Sequence, residues 1–253
     1  AVLLNALAKT LKIRKRDTVM QGGRYHNTKD FMNFPNIAGK GLSYEPMVQL
    51  PNKHILNGRK ITSSIRERDI MLHYPYQPYQ HIIDLLREAS IDPRVRAIKM
   101  TLYRLANPSK VVNALINASS NGKQVTVFME FQARFDESNN IYWSTKLQEA
   151  GARIIKTIPG FKVHCKMILI KRIENEQEKL YANISTGNYN ETTSRIYADD
   201  TLMTADPRIT HDVAKVFELF ERSYKPMRFQ HLIVSPFRTR NFFGIKSVQY
   251  DPR

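Results

Sequence analysis

The hydrophobic positions between residues 80 and 160 follow two alternating periods. HIIDLLREAS, VVNALINASS and NIYWSTKLQEA repeat their apolar positions with a helical period. VRAIKMTLYRL (residues 95–105), QVTVFMEF and ARIIKTI are short runs rich in apolar and β-branched residues, which favour strands. Strands that alternate with helices of this length are typical of a sheet with helices packed against it. The pattern therefore predicts a βαβαβ arrangement.

Turn and capping residues set the predicted limits of these helices. Asn107-Pro108 is expected to supply the N-cap and the first residue of the second helix, and Gly122 is expected to end it. Gly151 ends the third helix in the same way, because glycine readily adopts the left-handed conformation that follows a helix. Asp206-Pro207 repeats the start signal before a long helix near the end of the domain.

The second half of the chain has a different pattern. KVHCKMILIKRI and KLYANIST flank the charged turn ENEQE and predict an antiparallel hairpin, which a strand near TLMTA follows. We therefore predict an α/β fold with a mixed β-sheet flanked by helices. The predicted core domain covers residues 52–231. Residues 1–51, which begin with an amphipathic helix and a basic run, are expected to be the end of a preceding domain and a linker, and residues 232–253 the incomplete start of a following one.

Composition narrows the class of protein. The chain has 253 residues, of which 42% are hydrophobic, so it can bury a sizeable core. Its net charge of +16 favours a polyanionic partner, although charge alone does not separate nucleic acid, membrane surface and inorganic polyphosphate. No apolar run is long enough to span a bilayer. The single cysteine, Cys165, is compatible with a reducing cytoplasm, which is the predicted location.

His164 and Lys166 are candidate catalytic residues because a strand places alternate side chains on one face. Downstream, Gly187-Asn188 forms a predicted tight turn that presents an amide. Histidine supplies a nucleophilic nitrogen near neutral pH, and lysine and asparagine can neutralise and orient phosphate oxygens. The alternative is an ordinary strand histidine beside a solvated lysine.

These residues resemble a half-site of the phospholipase D superfamily, although Lys171 stands where that superfamily carries an aspartate. A longer match is to bacterial-type polyphosphate kinase, and it runs from about residue 20 to 235. It is carried by the stretches GGRYHNTKDFMNFPN, SIRERDIMLHYPY, IKMTLYRLA, FQARFDESNN, GFKVHCK, STGNYNETTSRIYADD and TADPRIT.

The resemblance implies a reaction and a set of site residues. ATP would give its terminal phosphoryl group to His164, and the phosphohistidine would pass it reversibly to inorganic polyphosphate. Arg104 and Arg134 match arginines assigned to phosphate and Mg²⁺ binding, and Tyr197 and Asp199 match positions near the nucleotide. Because arginine offers no acceptor atom, we expect both arginines to reach Mg²⁺ through the phosphates. The alternative role of the arginines is in surface ion pairs.

The resemblance also implies what lies around this region. The family has a head domain before it, whose last part would be residues 1–51, and a second phospholipase D-like half after it, which we expect to be missing from this chain. We expect a homo-oligomer that binds ATP, ADP and polyphosphate rather than nucleic acid. Two other readings stay open: a phospholipase D-type phosphodiesterase or nuclease, and a polyanion-binding module with no activity of its own.

Overall fold

The computed structural model of the chain describes residues 2–14, 34–35, 37, 39–42, 44–45, 47–56, 58–130, 137–156, 163–222, 227–237 and 239–244. The chain divides into two compact units, with the boundary between residues 46 and 47. The first unit contains the predicted amphipathic helix, α1 (Val2–Thr10). The first unit also has a short 3-10 helix (Gly39–Leu42), and the second unit contains the sheet and the remaining α-helices.

The helices and strands of the second unit largely alternate along the chain. In order, they are α2 (Ile61–Glu67), β1 (Ile70–Tyr74), α3 (Gln80–Ile91), β2 (Val95–Leu102), α4 (Lys110–Ser120), β3 (Gln124–Met129), α5 (Glu137–Glu149), β4 (Arg153–Ile155), β5 (Lys166–Glu174), β6 (Gln177–Ser185), β7 (Asp199–Thr204), α6 (Pro207–Glu221) and α7 (Thr239–Phe242). The predicted βαβαβ unit is confirmed as β2 to β4, and α2 and β1 precede it.

The strands form one seven-stranded sheet in the order β1-β7-β6-β5-β2-β3-β4. β2, β3 and β4 run parallel, and β5 pairs antiparallel with β2. β6, β7 and β1 continue in antiparallel pairs. The sheet is therefore mixed, as predicted. Because of these strand directions, β2, β3 and β6 end at one edge of the sheet, and β5 and β7 begin at that same edge. We call this edge the site end.

Both faces of the sheet are covered by helices. Ile168 and Ile170 of β5 lie in a core cluster with α2, α3, α4 and α5 on one face. Met167 and Leu169 lie in a second cluster with α6 on the other face. This confirms the predicted alternation of side chains along β5 and gives a three-layer α/β fold.

The helix boundaries confirm three of the four predicted signals. Gly122 and Gly151 follow α4 and α5 with φ angles of 75° and 87°. Asp206 is the N-cap of α6, and its side chain accepts a hydrogen bond from the backbone N–H of Arg208. The prediction for α4 was wrong: Ser109 is the N-cap and accepts from Val112 N, so Asn107-Pro108 lies before the helix. Serine caps as well as asparagine, and it stands closer to the first residue with a helical backbone.

The β5–β6 hairpin has the predicted charged turn. Asn175 and Glu176 join the strands with φ angles of 49° and 63°, as a tight two-residue hairpin turn requires. None of the helices in the described part of the chain combines the length and hydropathy that crossing a bilayer requires.

Candidate active site

Five chain segments meet at the site end of the sheet. Tyr103 and Arg104 follow β2, and Glu130 follows β3. His164 stands two residues before the start of β5. The turn that contains Asn188 follows β6, and β7 begins at Asp199. The sheet order thus brings residues that are up to 96 positions apart in the sequence to one end of neighbouring strands.

His164 and Lys166 form one local unit. Lys166 is the first residue of β5 and is buried, whereas the side chain of His164 is exposed. The ammonium group of Lys166 donates a hydrogen bond to the carbonyl oxygen of His164 at 2.6 Å. Thr101 of β2 fixes the same segment, since its hydroxyl donates to the carbonyl of Cys165 at 3.0 Å and accepts from the N–H of Met167 at 2.9 Å.

Tyr103 lies close to both candidate catalytic residues. Its ring centroid lies 6.3 Å from that of His164 and 5.0 Å from the Lys166 nitrogen. Burial lowers the pKa of Lys166, because desolvation disfavours the charged form, while nearby Cys165 and Asp199 partly oppose this. The ring face of a tyrosine attracts a cation and so helps to keep the ammonium group charged.

Cys165 is adjacent to His164 in sequence but is not a second nucleophile. Burial raises the pKa of its thiol to about 11, so the thiol stays protonated near neutral pH. Only a thiolate is a strong nucleophile. Of these two neighbours, His164 is the one whose side chain is exposed to solvent.

The turn after β6 is pressed against the start of β7. A Cβ atom added to Gly187 would lie 2.2 Å from Oδ2 of Asp199, so a side chain at this position would force the turn or the carboxylate to move. Oδ1 of the same carboxylate accepts a hydrogen bond from the hydroxyl of Thr186 at 2.8 Å. Asn188 is half-buried, and its carbonyl accepts from the N–H of Asn190. The predicted Asn188 turn thus lies at the site end, in contact with the predicted nucleotide residue Asp199.

The other predicted residues have different positions. Arg104 lies directly beyond β2 with its side chain exposed, and its carbonyl accepts from the amide of Asn190 at 3.3 Å. Tyr197 is 59% exposed and stands two residues before β7. Arg134 lies outside the described residues.

The described side chains do not fit a metal ion held by the protein. In the ranges that the structure describes, no group of three His, Cys, Asp or Glu side chains is placed to hold one. Arg104 is a cation with no acceptor atom. The predicted association of arginine with Mg²⁺ therefore requires phosphate oxygens between them.

Sequence reasoning did not single out the residues that support the site. Thr101 is an ordinary member of a strand pattern, and Asn140 and Asn190 are isolated polar residues whose partners lie far away in sequence. Tyr103 lies in the core and is 8% exposed.

A known family model matches the part of the chain that forms this sheet. The sequence model of the polyphosphate kinase C-terminal domain 1 matches residues 60–226, which covers the whole sheet and the helices α2 to α6. This chain belongs to the polyphosphate kinase family. The predicted resemblance is therefore confirmed.

Individual polyphosphate kinases are similar over most of the chain. The polyphosphate kinases of Escherichia coli strain K12 and Yersinia pestis are each 47% identical to it over 94% of its length. The crystal structure of polyphosphate kinase from Porphyromonas gingivalis has a TM-score of 0.75 at 37% identity and also covers 94% of the chain. The chain spans about a third of the curated relatives, 35% of their length, and 39% of the Porphyromonas chain.

The likeness to the phospholipase D superfamily is weaker. A phospholipase D family member from Salmonella typhimurium has a TM-score of 0.47 at 14% identity. That value is too low to support a conclusion about this chain.

Proposed function

We propose that this chain carries the phosphoryl-accepting part of a polyphosphate kinase, which transfers the terminal phosphate of ATP reversibly to inorganic polyphosphate through a phosphohistidine at His164. The observation that carries the proposal is an exposed histidine, His164, whose backbone carbonyl accepts a hydrogen bond from the ammonium group of the buried Lys166. Membership of the family and the names of the relatives support it.

The reaction has two displacement steps. A ring nitrogen of His164 attacks the terminal phosphorus of ATP, and the bond from that phosphorus to the bridging oxygen breaks, so that ADP leaves with the electron pair and the imidazole loses a proton. A terminal oxygen of polyphosphate then attacks the same phosphorus. The P–N bond breaks, the electron pair returns to the ring, which regains a proton, and the polyphosphate is longer by one unit.

The surrounding groups stabilise charge in these steps. We propose that Arg104 and Arg134 grip the phosphates bidentately and that Lys166 and Asn188 neutralise the oxygens of the transferred group. Tyr197 and Asp199 would lie near the nucleotide. Mg²⁺ would arrive as part of the MgATP substrate, since the described side chains offer it no site of their own.

We also propose that chain elongation needs more than this chain. The family resemblance implies a second phospholipase D-like half, of which residues 232–253 would be the start. Such a half would exclude water and align the entering chain, and positioning of this kind is worth roughly 7–11 kcal/mol. The resemblance likewise supports a cytoplasmic homo-oligomer. Alone, the basic chain should bind polyphosphate with an affinity that falls steeply as salt rises.

A chimera tests separately the role of His164 and the need for more than this chain in elongation. In it, this chain replaces the matching 242 residues of the Escherichia coli relative, and polyphosphate synthesis from MgATP is compared for the chimera, its His164→Ala variant and the 253-residue chain. We expect synthesis by the chimera alone. A phosphodiesterase would instead hydrolyse DNA without ATP, and that result from the chain, together with a chimera inactive with ATP, would reject the proposed function.

A further inference from the structure

Three consecutive backbone carbonyls beyond β2 are each held by the side-chain amide of a different asparagine. Nδ2 of Asn140 donates to the carbonyl of Tyr103 at 2.6 Å. Nδ2 of Asn190 donates to that of Arg104 at 3.3 Å, and Nδ2 of Asn139 to that of Leu105 at 3.0 Å. We call Asn139, Asn140 and Asn190 the asparagine clamp.

The clamp supplies hydrogen-bond donors to carbonyls that the end of a strand leaves without a partner in the sheet. β2 ends at Leu102, so the next carbonyls have no place in the sheet ladder. Tyr103 and Leu105 are buried, and a buried carbonyl without a partner is costly. Asparagine amides supply donors where no backbone N–H of a neighbouring strand is in register.

Two of the clamp residues come from the first turns of α5. Asn140 is fully buried and also donates to the carbonyl of Glu130 at 3.0 Å, so one amide joins the ends of the parallel strands β2 and β3. The third, Asn190, comes from the loop after β6, where its Oδ1 accepts from the N–H groups of Thr192 and Thr193. The clamp therefore ties three loops of the site end together.

We propose that Asn139 and Asn140 are positioning residues for phosphate binding, which act by fixing the backbone on both sides of Arg104. Because the carbonyls of Tyr103 and Leu105 are held, the backbone at Arg104 is fixed. The direction in which the arginine side chain leaves the backbone is then fixed as well. The same contacts hold Tyr103 against His164 and Lys166. This inference rests on the proposed function only in taking Arg104 as a phosphate ligand.

Asn139 is the better residue for a test. It is half-buried, and among the residues that the structure describes its amide donates to one carbonyl, that of Leu105. Asn139→Ser removes the amide donor without adding charge. Asn139→Asp also removes it, and a carboxylate near the start of α5 is favourable for the helix. Asn139→Gln keeps an amide donor. The fully buried Asn140 is avoided because its replacement endangers folding.

A matched control is available at the other end of the sheet. Nδ2 of Asn121 donates to the carbonyl of Ser90 at 3.1 Å, which is the same type of bond between an amide and a carbonyl. Asn121 follows α4 and precedes the start of β3, away from the site end. Asn121→Ser should therefore leave phosphate binding unchanged.

The experiment measures the affinity of the 253-residue chain for inorganic tripolyphosphate by calorimetry, with melting temperatures recorded for every variant. Asn139→Ser and Asn139→Asp should each weaken binding about 5- to 20-fold, the effect of freeing one residue of backbone. Asn139→Gln should recover part of the loss. In an Arg104→Ala background the same Asn139 substitutions should change affinity less than about twofold, because they act through that arginine.

Several results would overturn the inference. One is an unchanged affinity in Asn139→Ser, and another is an equal loss in the presence and absence of Arg104, which would indicate a general structural effect. A loss in Asn139→Asp alone would mean that the added charge is responsible. Absence of tripolyphosphate binding by the unsubstituted chain would also overturn it. Phosphohistidine formation from MgATP, measured in parallel, tests the proposed function separately, since binding requires no transfer.

Discussion

The ammonium nitrogen of Lys166 lies 2.6 Å from the carbonyl oxygen of His164 and donates a hydrogen bond to it. The lysine side chain therefore turns back on its own strand and holds the segment that carries the nucleophile. The same nitrogen lies 5.0 Å from the centre of the Tyr103 ring. A positive charge is thus held next to the backbone of His164, where the proposed function would use it to neutralise the oxygens of the transferred phosphoryl group.

Lys166→Met should separate function from stability. The buried ammonium group carries a desolvation penalty that methionine avoids, so we expect unfolding free energy to be unchanged or higher by up to ~2 kcal/mol. Phosphorylation of His164 should fall roughly 10²–10³-fold. Chemical denaturation and the initial rate of phosphohistidine formation measure the two effects.

The pH dependence of this stability difference has a definite sign. Burial lowers the pKa of Lys166 in the folded state, whereas the unfolded value is about 10.4. The penalty is fully present below the folded pKa and shrinks as pH rises from that value towards the unfolded one. Lys171→Met is the matched control, because Lys171 is on the same strand but half-exposed and paired with Glu178. A stability difference that grows with alkaline pH would contradict this account.

Arg104→Lys should not restore the function of the arginine. Lysine keeps the positive charge but loses the planar pair of donors that binds phosphate bidentately. Phosphohistidine formation should therefore slow by roughly 10²–10³-fold, as for Arg104→Ala. Arg87→Lys is the control, since Arg87 is an exposed helix residue that pairs with Asp84 at 3.5 Å. Near-normal rates in Arg104→Lys would show that the residue is peripheral.

Gly187→Ala should damage the turn that carries Asn188. The new Cβ would lie 2.2 Å from Oδ2 of Asp199, so either the turn or the carboxylate must move. We expect a loss of about 1–3 kcal/mol in unfolding free energy. Adding Asp199→Ala should relieve part of that loss, because Cβ of residue 199 would still lie 2.9 Å from the new atom, and Gly41→Ala, where the new Cβ meets nothing within 4 Å, should lose little. Strictly additive effects of the two substitutions would rule out the close approach.

Asp212→Asn should weaken the attachment of the segment after α6. The buried carboxylate accepts hydrogen bonds from the N–H groups of Gln230, His231 and Leu232 at 2.8, 2.7 and 3.0 Å. Burial alone would raise its pKa, but these bonds and the ammonium group of Lys215 outweigh that effect and lower the pKa to about 2. Loss of the charge should cost about 2 kcal/mol at neutral pH.

The contribution of Asp212 also predicts an acid transition. Because the folded pKa is below the unfolded value of about 3.9, the stabilisation is present above pH ~4 and is lost as pH falls towards 2. Asp84→Asn, at an exposed position, is the control. Denaturation curves give the free energy of unfolding of Asp212→Asn and of the unsubstituted chain. If the difference between the two is the same at pH 2 and pH 7, the carboxylate does not stabilise the fold in this way.

The helices and strands whose apolar residues recur at a regular spacing were predictable from the sequence. The helices and strands from α3 to α6 followed apolar spacing, and the alternation along β5 correctly separated Ile168 from Met167. The cap of α4 was not predicted, since Asn107 and Ser109 are both good caps and only the backbone decides between them. β1 has too few residues for its alternation to stand out.

The candidate site likewise has one part that local sequence patterns predict and one part that they do not. His164 and Lys166 are two positions apart, so a strand period is enough to place them together. The contacts of Thr101 with the β5 segment, and of the asparagine clamp with the three carbonyls beyond β2, join residues that are 34 to 86 positions apart. Such contacts depend on which strands are neighbours, and sheet order is not encoded in any local pattern.

The central claim is that His164 accepts the phosphoryl group, and intact mass spectrometry tests it most directly. The chain is incubated with MgATP and measured before and after acid treatment, beside its His164→Ala variant. We predict a mass increase of one phosphoryl group that acid removes, because phosphohistidine is acid-labile, and no increase in His164→Ala. The same acid-labile increase in His164→Ala would contradict the assignment, as would an increase that survives acid.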